Sequence, residues 1–372
     1  MRLLYLIDEL RFRGGTERHL WELAHGMASR GHEVTVLSLD DGPPFDADFR
    51  QAPQIRYECL RIKRIYDFSG VTGFLRLASI LWRTSPAVVQ TFHTASDLIG
   101  PLAALLASPR ALRVSSRRDL GYTKEARHRR VQAWVNRWVH VVLGNSREVA
   151  RHAQLSEVIP ESKLRVIHNG ITVAPFAAIA GRPPNPNPVL GTVANLRHVK
   201  GIHVLLEAMR ELAGTNPALS LRIAGNGPER RHLASLVASY GIEERVTFLG
   251  SVEDVSGFLA GLDLYVQPSL EEGFSNSVLE AMATALPVVA TDVGGNKDII
   301  VHGVDGVLVP PDDAPALAAA IAGLAADPVR CEALGAAGQR KVCTSFTIDL
   351  MLDKYESLHQ AAHMRSSSRP LP

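Results

Sequence analysis

The sequence is short of cysteine and has no long apolar run. Its three cysteines, Cys59, Cys331 and Cys343, are odd in number and lack metal-ligand spacing. That pattern argues against a disulfide framework or a zinc ribbon and leaves reduced thiols as the expectation. No apolar stretch approaches the roughly 20 residues of a membrane-spanning helix. The opening MRLLYLI meets Asp8 and Glu9 too early for a signal-peptide core and reads as a buried first strand, so a cytoplasmic protein is expected. Compositional bias is absent too: 46% hydrophobic and 21% charged residues are ordinary for a folded chain. Only the last stretch, residues 364–372, reads as an unstructured tail.

Net charge is a mere +2, but it is unevenly shared. Residues 1–172 hold 25 Lys and Arg against 17 Asp and Glu, while the remainder holds 15 against 21. A basic first half suits an anionic partner, such as a phosphorylated acceptor or an anionic membrane surface at the inner face of the cell membrane. Nucleic acid is not expected, because no binding module is recognisable.

At 372 residues the chain is long enough for two domains. Short apolar runs alternate with helical patterns, first in LLYLI, EVTVLSL, AVVQTF, LRVSS and HVVLGNS, then in PVLGTVANL, LSLRIAG, RVTFLG, LDLYVQPS, LPVVATD and VLVPP. That rhythm predicts two α/β, doubly wound, Rossmann-like domains at residues 1–180 and 189–345. Between them lies GRPPNPNP, residues 181–188, whose four prolines break any helix and mark a linker. A last helix is expected over residues 346–363. Ligands of such folds bind at the C-terminal edges of the strands, so a cleft between the domains is the expected site.

Gly14 and Gly15 join the first strand to the first helix, where bare amides and the helix dipole favour an anion. A tight turn without ligand is the alternative. Asp40 would suit a nicotinamide dinucleotide, but the G-x-G-x-x-G spacing is missing. Asp46 and Asp48 lie in a proline-bearing loop and read as solvated acids, so no metal or other cofactor is expected.

In the second half, VQPSLEEGFSNSVLEAMA reads as strand, loop and helix, with Glu272 in the loop and Glu280 in the helix. Ionised carboxylates there can accept hydrogen bonds from sugar and ribose hydroxyls. Gly273, Phe274, Ser275 and Asn276 would line the same ligand. Glu280 has an equally good structural reading, because Ser277-x-x-Glu280 fits a capping box.

This segment resembles the E-x7-E signature of the retaining glycosyltransferase family 4. So do Asn145-Ser146, His168-Asn169-Gly170-Ile171, Gly225-Asn226-Gly227-Pro228, Pro287 to Thr291 and Gly294-Gly295, all in the family's order. The resemblance implies a GT-B fold of two domains facing across a cleft, with the C-terminal helix returning to the first domain. It implies transfer from a nucleotide diphosphate sugar, UDP- or GDP-linked, to a glycan, glycolipid or lipid-linked acceptor in cell-envelope or exopolysaccharide biosynthesis.

In that reading Glu272 contacts the donor sugar, Glu280 the ribose, and Lys200 the leaving pyrophosphate, with Gly14, Gly15, Gly225 and Gly227 around the donor. The chain has Asn195 where many members have arginine, so Arg197 is the substitute second cation. Asp298 stands where glutamate is frequent. His93, at the end of the strand before it, resembles the family's histidine near the reacting sugar; a structural histidine is the alternative.

On the acceptor or membrane side stand Arg117, Arg118, Arg127, Arg130, Trp134 and Trp138. The tryptophans belong either to a membrane interface or to ordinary core. Two other classes compete with the transferase: a non-catalytic sugar-nucleotide-binding or scaffold subunit, and an NAD-dependent oxidoreductase.

Overall fold

The computed structural model describes residues 1–10, 14–40, 45–121, 126–176 and 185–367, with the side chains at 45, 46, 126, 127 and 362–367 outside that description. The chain forms two compact units, one built from Met1–Asn169 with the C-terminal helix, the other from Gly170–Thr347.

The first unit carries β1 (Arg2–Glu9), α1 (Gly15–Ser29), β2 (Glu33–Asp40), α2 (Phe45–Gln51), β3 (Ile55–Cys59), α3 (Phe68–Thr84), β4 (Val88–Phe92), α4 (Thr94–Ala107), β5 (Leu112–Arg117), α5 (Ala126–Val135), β6 (Val141–Gly144), α6 (Arg147–Ser156) and β7 (Leu164–Val166). All strands pair in parallel, in the order β3-β2-β1-β4-β5-β6-β7. Helices cover both faces, which is why β1 is an unbroken apolar run, LLYLI, rather than an alternating one. Leu3, Tyr5 and Ile7 point into one core with α1, while Leu4 and Leu6 point into the other with α3 and α4.

The second unit repeats the plan with β8 (Val189–Val193), α7 (Ile202–Thr215), β9 (Ser220–Ala224), α8 (Arg230–Tyr240), β10 (Val246–Gly250), α9 (Val255–Ala260), β11 (Leu264–Gln267), α10 (Asn276–Ala283), β12 (Val288–Thr291), α11 (Asn296–Ile299), β13 (Val307–Val309), α12 (Ala314–Ala325) and α13 (Pro328–Ser345). Its parallel order is β10-β9-β8-β11-β12-β13. In each sheet the direction of winding reverses once, between β1 and β4 and between β8 and β11. The loops leaving those paired strands lie at the C-terminal edge of each sheet, the place where such sheets hold ligands.

The last helix, α14 (Ile348–Ser367), returns to the first unit as expected and packs on α1. Gly26 makes room for it, since a Cβ there would collide with Leu352. Tyr355 Oη meets His19 Nε2 at 3.0 Å, and Arg30 bridges Asp353 at 2.7 Å and Glu356 at 3.1 Å. The helix runs past residue 363, so residues 364–367 of the expected tail are helical; residues 368–372 lie outside the described ones.

The unit boundary also differs from the expected linker. It falls after Asn169, because Ile171 and Phe176 are buried with Leu259, Leu262 and Phe346 in the second unit's core. Of the proline segment, 181–184 lie outside the described residues.

Candidate functional site

Lys200 ends a 3-10 turn, His198–Lys200, on the loop leaving β8, and Glu272 sits on the loop leaving β11. Adjacent parallel strands bring these loops together, although 72 residues separate them. The Lys200 ammonium donates to Glu272 Oε2 at 2.7 Å, with side chains 24% and 10% exposed. The same oxygen accepts from Gln267 Nε2 and Ser269 Oγ, each at 3.2 Å. Gln267 is in turn held by the buried Tyr265 hydroxyl, which donates to its Oε1 at 2.8 Å. Burial pushes that phenol well up and keeps it a neutral donor, with Glu280 and Glu272 adding to the rise.

Glycines set this geometry because the backbones approach too closely for a side chain. A Cβ at Gly294, already at φ 49°, would collide with the Glu272 carbonyl oxygen, and one at Gly295 would press on the Gly273–Phe274 backbone. Gly201, at φ 63°, likewise leaves no room beside the Pro268 carbonyl. Leu270 N donates to Val199 O at 2.8 Å, stitching the two loops directly. Thr291 Oγ1 reaches Ser269 O at 2.5 Å from β12.

The helix after the acid loop starts at Asn276, and its N-cap is Ser275, whose hydroxyl accepts from Val278 N. The capping box expected at Ser277 and Glu280 is therefore not formed. Glu280 is instead a buried carboxylate within α10. The Phe274 ring is core, 6.0 Å from Phe346, so only its backbone can face a ligand. Gly273 and Asn276 are half-buried beside it.

Gly225 and Gly227 are needed where the β9 exit crosses the β8 exit: a Cβ at either would strike the Ala194 or Leu196 backbone. Arg197 stays exposed on the Lys200 loop, and Asp298 is half-buried in α11.

In the first unit, Gly14 is the N-cap of α1, and Gly15 is open to solvent. The Glu17 carboxylate accepts from the Gly14 and Glu17 amides. Burial pushes this carboxyl up, the nearby His93 opposes that, and Glu9 adds to it. Of the two amides expected for an anion, that of Gly14 already meets a carboxylate.

His93 is the half-buried N-cap of α4 at φ 74°, a strained left-handed conformation for a residue with a Cβ. Asp8, at the end of β1, fixes that turn by accepting from Ala95 N at 2.9 Å and Ser96 N at 2.7 Å. Sequence reasoning used Asp8 only to end an apolar run. Its signal was an acid closing a buried strand.

The acceptor-side arginines do not act as one surface. Arg117 ends β5 at 4% side-chain exposure, bound to Glu157 at 2.7 Å and to Asp97 at 2.6 Å. Burial pulls its guanidinium down, but the two carboxylates more than reverse this. Arg118 is half-buried and donates to Asn169 Oδ1 at 2.7 Å; burial pulls it down, against the opposing pull of Tyr355 and Glu22. Both are corrections to the expected basic face, because strand ends point these side chains inward. The Arg127 side chain lies outside the described residues. Arg130 is exposed, and Trp134 and Trp138 are 49% and 40% exposed, which rules out the reading of these tryptophans as ordinary core.

Among the described residues no group of three His, Cys, Asp or Glu side chains is placed to hold a metal ion. No described helix is long and apolar enough to cross a membrane.

Known proteins share this plan. A family model described as Glycosyltransferase Family 4 matches residues 13–174, and one described as Glycosyl transferases group 1 matches residues 187–327. Together the two models span most of the chain and mark it as a glycosyltransferase similar to family 4. It is 24% identical to a glycogen synthase of Mycobacterium tuberculosis over 96% of this chain and 94% of that one. It is 27% identical to the lipopolysaccharide core biosynthesis glycosyltransferase LpsE of Rhizobium meliloti, over 93% and 95%. The structure of HepE from Anabaena in complex with UDP-glucose superimposes with a TM-score of 0.83 at 22% identity, covering 97% of this chain and 100% of that one. The two parallel-sheet, Rossmann-like domains of this glycosyltransferase match GT-B structures. The matched glycosyltransferase domains and relatives make it a transferase and set aside the oxidoreductase alternative.

Proposed function

We propose that this glycosyltransferase moves a sugar from a UDP- or GDP-linked donor to a hydroxyl of a glycan, glycolipid or lipid-linked acceptor, with retention at the anomeric carbon. The setting is cell-envelope or exopolysaccharide biosynthesis at the inner face of the cell membrane. Relatives named for lipopolysaccharide core and glycogen synthesis support the setting, and HepE, a fold neighbour crystallised with UDP-glucose, supports the donor class.

One observation carries the reading: the partly exposed Lys200–Glu272 pair, held by Gln267, Ser269 and the crossing glycine loops. Glu272 accepts from donor-sugar hydroxyls, Glu280 takes the ribose, and Lys200, joined by Arg197, neutralises the diphosphate. Gly225 and Gly227 keep the neighbouring backbone close, and the amides of Gly273 to Asn276 line the donor. Gly14 and Gly15 present amides to phosphate once Glu17 moves aside, with His93 near the reacting sugar.

The anomeric carbon–phosphate oxygen bond breaks, and the acceptor oxygen bonds to that carbon from the same face. The acceptor's proton passes to the departing phosphate. A cation placed where that charge develops is worth roughly 10²–10³ in turnover. Metal has no role in this scheme.

The test is turnover of UDP-, GDP- and ADP-sugars, chosen first by thermal shift, with the product's anomeric configuration read by NMR. Release of nucleoside diphosphate with a retained anomer, insensitive to chelator, is expected. An inverted product, or donor binding without turnover, contradicts the proposal.

A further inference from the structure

We propose that the layer formed by α3, α4 and α5 in the first unit is a docking surface for an anionic lipid bilayer, led by an apolar stripe on α3. Helix α3 is apolar on two sides. Gly70, Gly73, Leu77, Ile80 and Leu81 face the core, while Phe68, Val71, Leu75 and Trp82 are 81%, 58%, 64% and 73% exposed. Their spacing of three, four and seven residues keeps them on one helical stripe. Single exposed apolar residues need no explanation, but a stripe of four large ones does.

The stripe continues across its neighbours. Helix α4 packs between α3 and α5; its last turn exposes Leu106, and α5 exposes Val131 and Trp134. Helices α3 and α4 share one core against the sheet, on the face away from α1 and α14.

Charge selects the occupant. The sequences of α3 and α5 contain no Asp or Glu. Asp67 is occupied as the N-cap of α3, bound to Gly70 N and Ser69 Oγ, and Glu58 is paired with Arg76 at 2.9 Å. Exposed cations rim the patch at Lys63, Arg64, Arg83, Arg130 and Arg137. Aromatic side chains at the two ends of the apolar stripe, Phe68 and Trp82, with a cationic rim match the headgroup boundary of an anionic membrane, where rings sit at the interface and guanidinium groups reach phosphate.

The inference gives the proposed membrane location a surface, and it moves the leading element from α5, where sequence patterning placed it, to α3. It rests on that location but not on the transfer chemistry, so it can be tested with neither donor nor acceptor present. The full chain is sedimented with vesicles of phosphatidylcholine alone and of phosphatidylcholine containing about one-third phosphatidylglycerol. Binding to the anionic vesicles only, weakening as ionic strength rises, is expected. The double variant Leu75→Glu, Trp82→Glu should bind at least about tenfold more weakly, and Trp134→Ala about threefold.

Both variants alter exposed residues, so the unchanged thermal shift given by UDP or GDP serves as the control for folding and for the transferase site. Wild-type protein that ignores anionic vesicles overturns the proposal, as does a double variant that binds them equally well. A wild-type dimer that the double variant converts to monomer, with neither binding vesicles, overturns it too and makes the stripe a contact between two copies of this chain.

Discussion

Two ion clusters sit at the C-terminal ends of parallel strands in this molecule, and they serve opposite purposes. Arg117 in the first unit is sealed at 4% exposure between Asp97 and Glu157, one cation held by two buried carboxylates. Lys200 in the second unit meets one carboxylate at a similar distance but keeps 24% of its side chain open. A sealed cluster has spent its charge on holding the fold. An open pair, pinned by crossing loops, keeps charge that a ligand can still use.

Breaking each cluster should therefore give different losses. Arg117→Ala leaves two carboxylates buried without their cation and should destabilise the first unit by about 3–5 kcal/mol. Lys200→Ala removes a partly exposed pair and should cost no more than about 1 kcal/mol. Chemical denaturation of both variants reads this directly, and equal losses would erase the distinction.

A subtler change acts through the glycines. Gly294→Ala places a side chain at φ 49° against the Glu272 carbonyl oxygen. The left-handed backbone alone costs about 1–2 kcal/mol. A shift of the acid loop by an ångström should lower turnover about 10²-fold. An active Gly294→Ala enzyme would show that the Glu272 loop need not be held rigidly.

The smallest expected effect is in acid. His359 on α14 is fully buried with neither ring nitrogen hydrogen-bonded, and burial, helped by His32 and opposed by Glu356, pulls its pKa down to about 3. The unfolded chain takes up that proton near pH 6.5 and the folded chain does not, so stability falls as pH drops from about 6.5 towards 3. His359→Leu should flatten the decline in Tm over that range without removing it, because burial also depresses buried His19. Parallel Tm curves for wild type and variant would remove His359 from the account.

Much of this was legible in sequence because doubly wound domains write their strands as apolar runs. Strand β3 escaped notice because IRYEC is an edge strand with few apolar residues, and β7 because it has only three residues. The acid pair and Lys200 were visible as a pattern, but Gln267, Ser269 and Asp8 were not, since their partners are fixed by strand order rather than by chain distance. Arg117 and Arg118 misled because local sequence does not tell a cation facing solvent from one drawn to partners within the fold, Asp97 and Glu157 for Arg117 and Asn169 for Arg118. The α3 stripe was silent for a related reason: apolar residues at helical spacing read as core whichever side they occupy.

The central claim is that the open pair in the second unit binds the donor. Its most direct test is titration of wild type, Lys200→Ala and Glu272→Gln with UDP and GDP, followed by calorimetry. Tight binding of one diphosphate by wild type, weakened at least about tenfold in Lys200→Ala, which corresponds to about 1.4 kcal/mol, and little changed in Glu272→Gln, is the predicted result. Equal affinity in wild type and Lys200→Ala would contradict it.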